Sequence, residues 1–156
     1  MVSTIGDILL IHYNFDPVAF LIRSFTHSYW NHCVWILNSH LIVESGRHGI
    51  QIHHINKYNN PKLFVTKKIG LKNLSEIDKR LISNLLTNQI RSINYISRFI
   101  VFILVALNKH PKSKIPTCSN FIASACAKLG IYFNSEKDIA FITPEDINSS
   151  DEVENA

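Results

Sequence analysis

The fold is organised around one stretch, residues 115–130, which reads I-P-T-C-S-N-F-I-A-S-A-C-A-K-L-G. Pro116 and Thr117 are typical of a helix start, apolar residues then recur at helical spacing, and Gly130 is a usual residue at a helix end. The stretch therefore predicts a largely buried helix with Cys118 in its first turn.

A thiol in the first turn of a helix is favoured as the thiolate, which is its reactive form. Unpaired backbone N–H groups and the positive end of the helix dipole both stabilise negative charge there. Cys118 could therefore be a nucleophile if the rest of the chain supplies a base. The alternative is a small apolar residue that packs in a core, which is the more common role of an isolated cysteine.

The composition is that of a globular protein with one hydrophobic core. The chain has 156 residues, of which 46% are hydrophobic and 18% charged. We expect a single domain over residues 1–147 and a disordered acidic tail over residues 148–156. The formal net charge is +4, and all 16 Lys and Arg precede Pro144. This basic body could contact phosphate or an anionic membrane, although a solvated surface is the simpler interpretation.

The cysteine content and the chain start indicate a reducing, cytoplasmic location. Cys33, Cys118 and Cys126 are an odd number without the spacing of a disulfide framework or a zinc site. Residues 1–7 lack the basic start and apolar run of a secretion signal. The longest apolar run, residues 99–107, is shorter than the ~20 residues that a membrane span needs. We expect a buried helix there, and peripheral membrane contact stays open.

The pattern of apolar residues predicts an α+β domain. Strands are expected at residues 8–11, 31–37, 41–44, 50–53 and 63–69, with an extended segment at 139–143 and a turn at 144–147. Helices are expected at residues 18–25, 76–92, 95–107 and from Cys118, and the 76–92 helix should bury Ile77, Leu81, Leu85 and Ile90. A two-residue turn at residues 38 and 39 would join the second and third strands into an antiparallel hairpin.

The hairpin supplies a candidate base. If its turn sets the register, Glu44 lies level with His32 and beside the imidazole. A cysteine nucleophile needs a base, and the base needs a third group that fixes its orientation. Each residue taken alone is usually structural, but a histidine, a carboxylate and a helix-start cysteine together favour catalysis. Alternation places Cys33 on the opposite face of the strand from His32, so Cys33 should not reach the site.

Other kinds of site find little support in the sequence. Cys126 lies about two turns into its helix, where we expect it to pack. The remaining histidines lack metal-ligand spacing, so we expect no metal, and no fingerprint of a nucleotide cofactor or of a serine hydrolase is visible. Aromatic and basic residues are not interleaved, so we expect no nucleic-acid partner.

Several of these residues together resemble a family, the circularly permuted NlpC/P60 cysteine hydrolases of the papain-like superfamily. Within it, the chain is most similar to the YiiX-like branch, which includes small poxvirus proteins. The resemblance covers nearly the whole chain, through G-D at 6–7, N-H-C-V-W-I at 31–36, V-E-S at 43–45, C-S at 118–119 and T-P-E-D-I at 143–147. Asn31 and Asn120 depart from the family, which often has a serine before the histidine and an acidic residue after Cys-Ser.

The resemblance implies a permuted papain-like fold, with a small antiparallel sheet packed against helices and the nucleophile at a helix N-terminus. It implies Cys118 as nucleophile, His32 as general base and Glu44 as the residue that orients the imidazole. The implied activity is a hydrolase or acyltransferase that acts on an amide or ester bond through a thioacyl intermediate. From its helix-start position, the backbone N–H of Cys118 is the natural oxyanion donor. A viral protein of this kind would act in the host cytoplasm or the virion.

The substrate stays open, and so do two other functions. The apolar residues 95–107 and the basic residues before Cys118 favour a lipid or acylated substrate over a cell-wall peptide. A second interpretation is a catalytically silent module on the same scaffold that binds an acidic partner or a membrane through its basic surface. A third interpretation is a nucleic-acid-binding protein, and the basic charge of the chain is the one feature that supports it.

Overall fold

A computed structural model describes residues 4–16, 19–20, 23–24, 27–46, 48–92 and 117–156. The predicted helix at residues 95–107 lies outside these ranges, and the predicted helix at residues 18–25 lies partly outside them.

The described chain is an α+β fold built on one antiparallel sheet, so the predicted class is confirmed. Its strands are β1 (Ile8–Tyr13), β2 (His32–Ile36), β3 (Leu41–Gly46), β4 (Gly49–His54), β5 (Phe64–Leu71), β6 (Arg91–Ser92) and β7 (Val153–Asn155). Their order across the sheet is β6-β4-β3-β2-β1-β5-β7. The first five strands coincide with the predicted ones to within a few residues. β1 lies inside the sheet because it pairs with both β2 and β5.

Helices cover one face of the sheet. The described α-helices are α1 (Glu76–Thr87), α2 (Cys118–Ala127) and α3 (Pro144–Asn148), and 3₁₀ turns occur at Ile55–Tyr58 and Ile139–Phe141. Strand alternation divides the buried residues into two clusters. Trp35 and Cys33 of β2 face the helices and pack with Phe121 of α2, whereas Val34 and Ile36 face the other side with Tyr58.

Helix α2 forms where the sequence predicts it. Thr117 is the N-cap, and its hydroxyl accepts the N–H of Asn120. Gly130 adopts a φ of 79° just beyond the helix end, a conformation that favours glycine. Phe121 and Ile122 are buried in the core, so their packing fixes the helix against the sheet and Cys118 in its first turn.

The β2–β3 hairpin is present, but its predicted two-residue turn is wrong. The N–H of Leu37 donates to the carbonyl of Leu41, which leaves three residues in the loop. The side-chain oxygen of Asn38 accepts the N–H groups of His40 and Leu41, at 2.8 and 2.9 Å. This side-chain cap satisfies the backbone of the longer loop, so a two-residue turn is not required.

Helix α1 differs from its prediction in its end and in its buried face. It ends at Thr87 instead of residue 92, because the chain turns there and Arg91–Ser92 joins β4 as strand β6. Ile82 and Leu86 are fully buried, whereas Ile77 is 78% exposed. Of the predicted residues, Leu85 packs against the core, whereas Leu81 and Ile90 are exposed like Ile77, so the buried face is centred on Ile82 and Leu86.

The chain after residue 138 is more ordered than predicted. Residues 139–141 form a 3₁₀ turn instead of an extended segment, and Pro144–Asn148 forms a short helix with a capping box between Thr143 and Asp146. The prediction of a disordered tail is wrong, and so is its boundary at residue 147. Val153–Asn155 pairs with β5 and buries Val153, since an edge strand offers unpaired backbone groups to an extended segment.

Candidate active site

Strands β2 and β3 place His32 beside Glu44. The two strands pair at Trp35–Val43 and Ile36–Ile42. Farther from the loop, the Nε2 atom of His32 lies 2.6 Å from Oε2 of Glu44. Both residues are buried, with exposed fractions of 8% and 2%. The predicted contact is therefore present, although the three-residue loop gives a different register from the one that a two-residue turn would set.

Glu44 has further partners that the sequence did not reveal. The hydroxyl of Tyr58 donates to Oε2 at 2.6 Å, and the ammonium of Lys57 donates to Oε1. His53 Nε2 lies 3.5 Å from the same Oε1. Lys57 and Tyr58 belong to the 3₁₀ turn that follows β4. The sequence indicates these partners only indirectly. A buried carboxylate requires hydrogen-bond donors, but the sequence does not show which residues supply them.

These partners keep Glu44 ionised. Burial alone would raise the pKa of its carboxyl, but the hydrogen bonds from His32, Lys57 and Tyr58 outweigh burial and hold the pKa far below the ordinary value. Burial and the neighbouring carboxylate raise the pKa of Tyr58 far above its ordinary value, so its hydroxyl stays a donor. His32 therefore faces a fixed negative charge.

Cys118 meets His32 at the start of helix α2. The imidazole of His32 and the thiol and backbone N–H of Cys33 are the neighbours whose hydrogen bonding lowers the pKa of the Cys118 thiol. Because Glu44 occupies Nε2 of the imidazole, Nδ1 is the ring nitrogen left for the sulfur. The structure thus brings together the three residues that the sequence analysis singled out, with His32 between Cys118 and Glu44.

The contacts favour a thiolate beside an imidazolium. The pKa of Cys118 lies well below its ordinary value, first through the hydrogen bond from the Cys33 thiol and then through the charge and hydrogen bond of His32, although burial opposes the shift. For His32, burial acts to lower the pKa, but Tyr13, Cys118 and Glu44 together raise it well above the ordinary value. Both shifts favour the state in which the proton resides on the imidazole.

The prediction that Cys33 cannot reach the site is wrong. Cys33 faces the helices, as alternation predicts, and α2 places Cys118 on that same side. His32 faces the other way but is the first residue of β2, so its ring meets the sulfur at the end of the strand. The β2–β3 pairing stops at Trp35, and the N–H of Cys33 donates to Cys118 instead.

The third cysteine lies apart from this cluster. Cys126 is fully buried in the helix-side core, and burial raises the pKa of its thiol to about 12.

Within the described ranges, no group of three or more His, Cys, Asp and Glu is arranged to hold a metal ion. The described helices are also all too short or too polar to cross a bilayer.

Two buried polar atoms beside the site have no hydrogen-bond partner among the described residues. They are Nδ2 of Asn31, which precedes His32, and Oδ1 of Asn120, in the first turn after Cys118. The other amide atom of Asn31, Oδ1, accepts the N–H of Tyr13 at 3.2 Å. These are the two positions at which the sequence departs from the family it resembles.

The sequence matches no protein-family model and no curated protein. The case for a function therefore rests on the geometry of Cys118, His32 and Glu44.

Proposed function

We propose that the protein is a cysteine-dependent hydrolase or acyltransferase of the permuted NlpC/P60, papain-like type. The observation that supports this function most directly is the position of His32, whose Nε2 lies 2.6 Å from Glu44 and whose charge and hydrogen bonding lower the pKa of Cys118. A partly exposed thiol in series with a buried imidazole and a buried carboxylate is costly to assemble for packing alone, since the buried polar groups must be desolvated. Nucleophilic catalysis gives all three a role.

The proposed reaction begins with attack of the Cys118 thiolate on the carbonyl carbon of an amide or ester. The carbonyl oxygen becomes an oxyanion, and the N–H of Cys118 is the proposed donor to it, because the first N–H groups of a helix have no intrahelical acceptor. His32 then gives its proton to the leaving amine or alcohol, and a thioester forms on Cys118. Water or another acceptor loses a proton to His32, attacks the thioester and releases the acyl group.

For the substrate we propose a lipid or an acylated amide or ester. The basic body and the apolar residues 95–107 support this class, since both suit contact with an anionic lipid surface. We also propose a reducing compartment such as the cytoplasm, because all three cysteines are free. Flotation with liposomes and release of fatty acid from lipid esters test the substrate class. Failure of both would exclude it but leave other amides and esters open.

The reaction itself is tested by labelling with an acyl electrophile, which requires no knowledge of the substrate. The wild type should be labelled on Cys118, and Cys118→Ser should not be labelled at all. Cys126→Ser is the matched control and should retain wild-type labelling, because Cys126 lies outside the site. Labelling that persists in Cys118→Ser would refute the site. An unreactive wild type would instead favour a catalytically silent binding module.

A further inference from the structure

Two thiols adjoin each other at the start of helix α2. Cys33 is fully buried in β2, and the partly exposed Cys118 packs against the core cluster that contains Cys33. Each of the two thiols also shifts the pKa of the other. Cys126 is eight residues farther along the same helix, a separation of about 12 Å along the axis. Of the three cysteines, Cys33 is therefore the one placed to react with Cys118.

We propose that Cys118 and Cys33 are a site of reversible oxidation by a peroxide. The peroxide oxidises Cys118, and Cys33 then resolves the product as an intramolecular disulfide. This disulfide blocks the nucleophile, and a thiol reductant restores it. The inference goes beyond the proposed acyl chemistry and holds whatever the substrate is.

The oxidation balances with hydrogen peroxide as the only co-reactant. The Cys118 thiolate attacks one peroxide oxygen, the O–O bond breaks, and the departing hydroxide takes a proton from the His32 imidazolium to leave as water. Cys118 is now a sulfenic acid. The sulfur of Cys33 attacks the Cys118 sulfur, the S–O bond breaks, and the hydroxyl leaves as a second water with the proton of the Cys33 thiol. Two thiols lose two electrons, and the peroxide gains them.

The surroundings of the two cysteines assign their roles. Cys118 is the more accessible sulfur and has the imidazole of His32 beside it, so it reacts with peroxide first. Burial and the adjacent Cys118 thiolate raise the pKa of Cys33, so Cys33 stays a protonated thiol until an oxidised neighbour is available. At Cys33, β2 is held by its pairing with Leu10 of β1, whereas Cys118 opens a helix, so the first turn of α2 makes the adjustment needed for the bond.

Hydrogen peroxide treatment followed by non-reducing peptide mapping tests the proposal. The wild type should yield a Cys33–Cys118 cross-linked peptide with two hydrogens fewer than the separate peptides. Labelling of Cys118 by iodoacetamide should fall at least tenfold and return after dithiothreitol. Cys126→Ser should behave in the same way. In Cys33→Ser, peroxide should carry Cys118 on to sulfinic acid, and dithiothreitol should not restore labelling.

A cross-link to Cys126, a cross-link between two chains, or sulfinic acid on Cys118 of the wild type without any cross-link would each overturn the proposal. If circular dichroism shows that Cys33→Ser does not fold, the peptide map of the wild type decides alone. Each of these results leaves labelling of unoxidised Cys118 by an acyl electrophile as it was. Failure of the oxidation can therefore be distinguished from failure of the proposed function.

Discussion

His32 and Tyr58 donate hydrogen bonds to the same oxygen of Glu44, Oε2, each across 2.6 Å. The oxygen therefore has its position fixed from two directions, and the imidazole is oriented by an acceptor that cannot rotate away. Lys57 holds the second oxygen of the carboxylate in the same manner. The orienting residue of the site is thus itself oriented by the 3₁₀ turn that follows β4.

Replacing Tyr58 by Phe should destabilise the protein by about 2 kcal/mol, because it removes a buried hydrogen bond to a charged group. The aromatic ring keeps its packing, so the loss reports on the hydroxyl. Urea unfolding measures the change. Tyr132→Phe is the matched control, since Tyr132 is 54% exposed and should cost less than about 0.5 kcal/mol. Equal losses in the two variants would contradict the role given to Tyr58.

Replacing Glu44 by Gln should slow alkylation of Cys118 at neutral pH. Loss of the carboxylate lowers the pKa of His32 towards its ordinary value, which weakens the charge that stabilises the thiolate. The rate should fall roughly tenfold for each unit by which the pKa of Cys118 then rises past the assay pH. Glu76→Gln is the control, because Glu76 is a largely exposed carboxylate on α1. An unchanged rate in Glu44→Gln would separate Glu44 from the reactivity of the thiol.

The rate of Cys118 alkylation should depend on pH in an unusual way. An ordinary thiol loses reactivity as the pH falls below ~8.5, because the thiolate is protonated. The lowered pKa of Cys118 predicts a rate that stays level well below that pH and declines only in acid. In His32→Ala the decline should move to higher pH, since the neighbouring positive charge is gone. Iodoacetamide kinetics from pH 4 to 10 measure both profiles, and superimposable curves would refute the ion pair.

The carboxylate of Asp146 should stabilise the fold in a pH-dependent manner. Burial opposes ionisation, but donors from Lys137, Thr143 and Asn134 hold the folded-state pKa below the ordinary 3.8. The contribution is therefore full above pH 3.8 and is lost as the pH falls through the folded pKa. Asp146→Ala should cost ~1–2 kcal/mol at pH 7 as a lost helix cap. The difference in stability between Asp146→Ala and the wild type should shrink below pH 3.8. Thermal melts across this pH range measure it, and a difference that stays constant would contradict the prediction.

Two substitutions in α1 test which of its apolar stripes holds the helix. Leu86→Ala should cost ~2–5 kcal/mol, because Leu86 is fully buried. Ile77→Ala should change the free energy of unfolding by less than about 0.5 kcal/mol, because its side chain is mostly in solvent. Denaturant unfolding of both variants makes the comparison. The reverse order would mean that the face containing Ile77 is covered.

The contact between His32 and Glu44 could be predicted from the sequence because it is local. His32 and Glu44 lie 12 residues apart on one hairpin, and the alternation of side chains limits how the two strands can pair. The loop is one residue longer than predicted, and this places Val43 opposite Trp35, so Glu44 lies on the same face of the sheet as His32. A two-residue turn would have put Glu44 on the face of Cys33.

The contacts that the sequence did not predict are those set by tertiary packing. The Cys33–Cys118 contact depends on where α2 docks on β2, which Phe121 and Trp35 decide within the core. Strand β7 depends on the free edge of β5, which no pattern within the acidic tail encodes. Tertiary packing also sets the buried face of α1, because apolar residues lie on more than one face of this helix and the sequence alone does not show which face meets the core. Each of these contacts joins segments that are far apart in the chain.

The N-cap of α2 has a consequence for heat inactivation. Cys118 lies in the first helical turn, which the side chain of Thr117 caps through a bond of 3.4 Å to Asn120. Fraying of that one turn would withdraw the sulfur from His32 while the hairpin and the sheet stay folded. Loss of thiol reactivity and loss of structure would then be separate events on heating, and the half-life of the reactive site would be shorter than that of the fold.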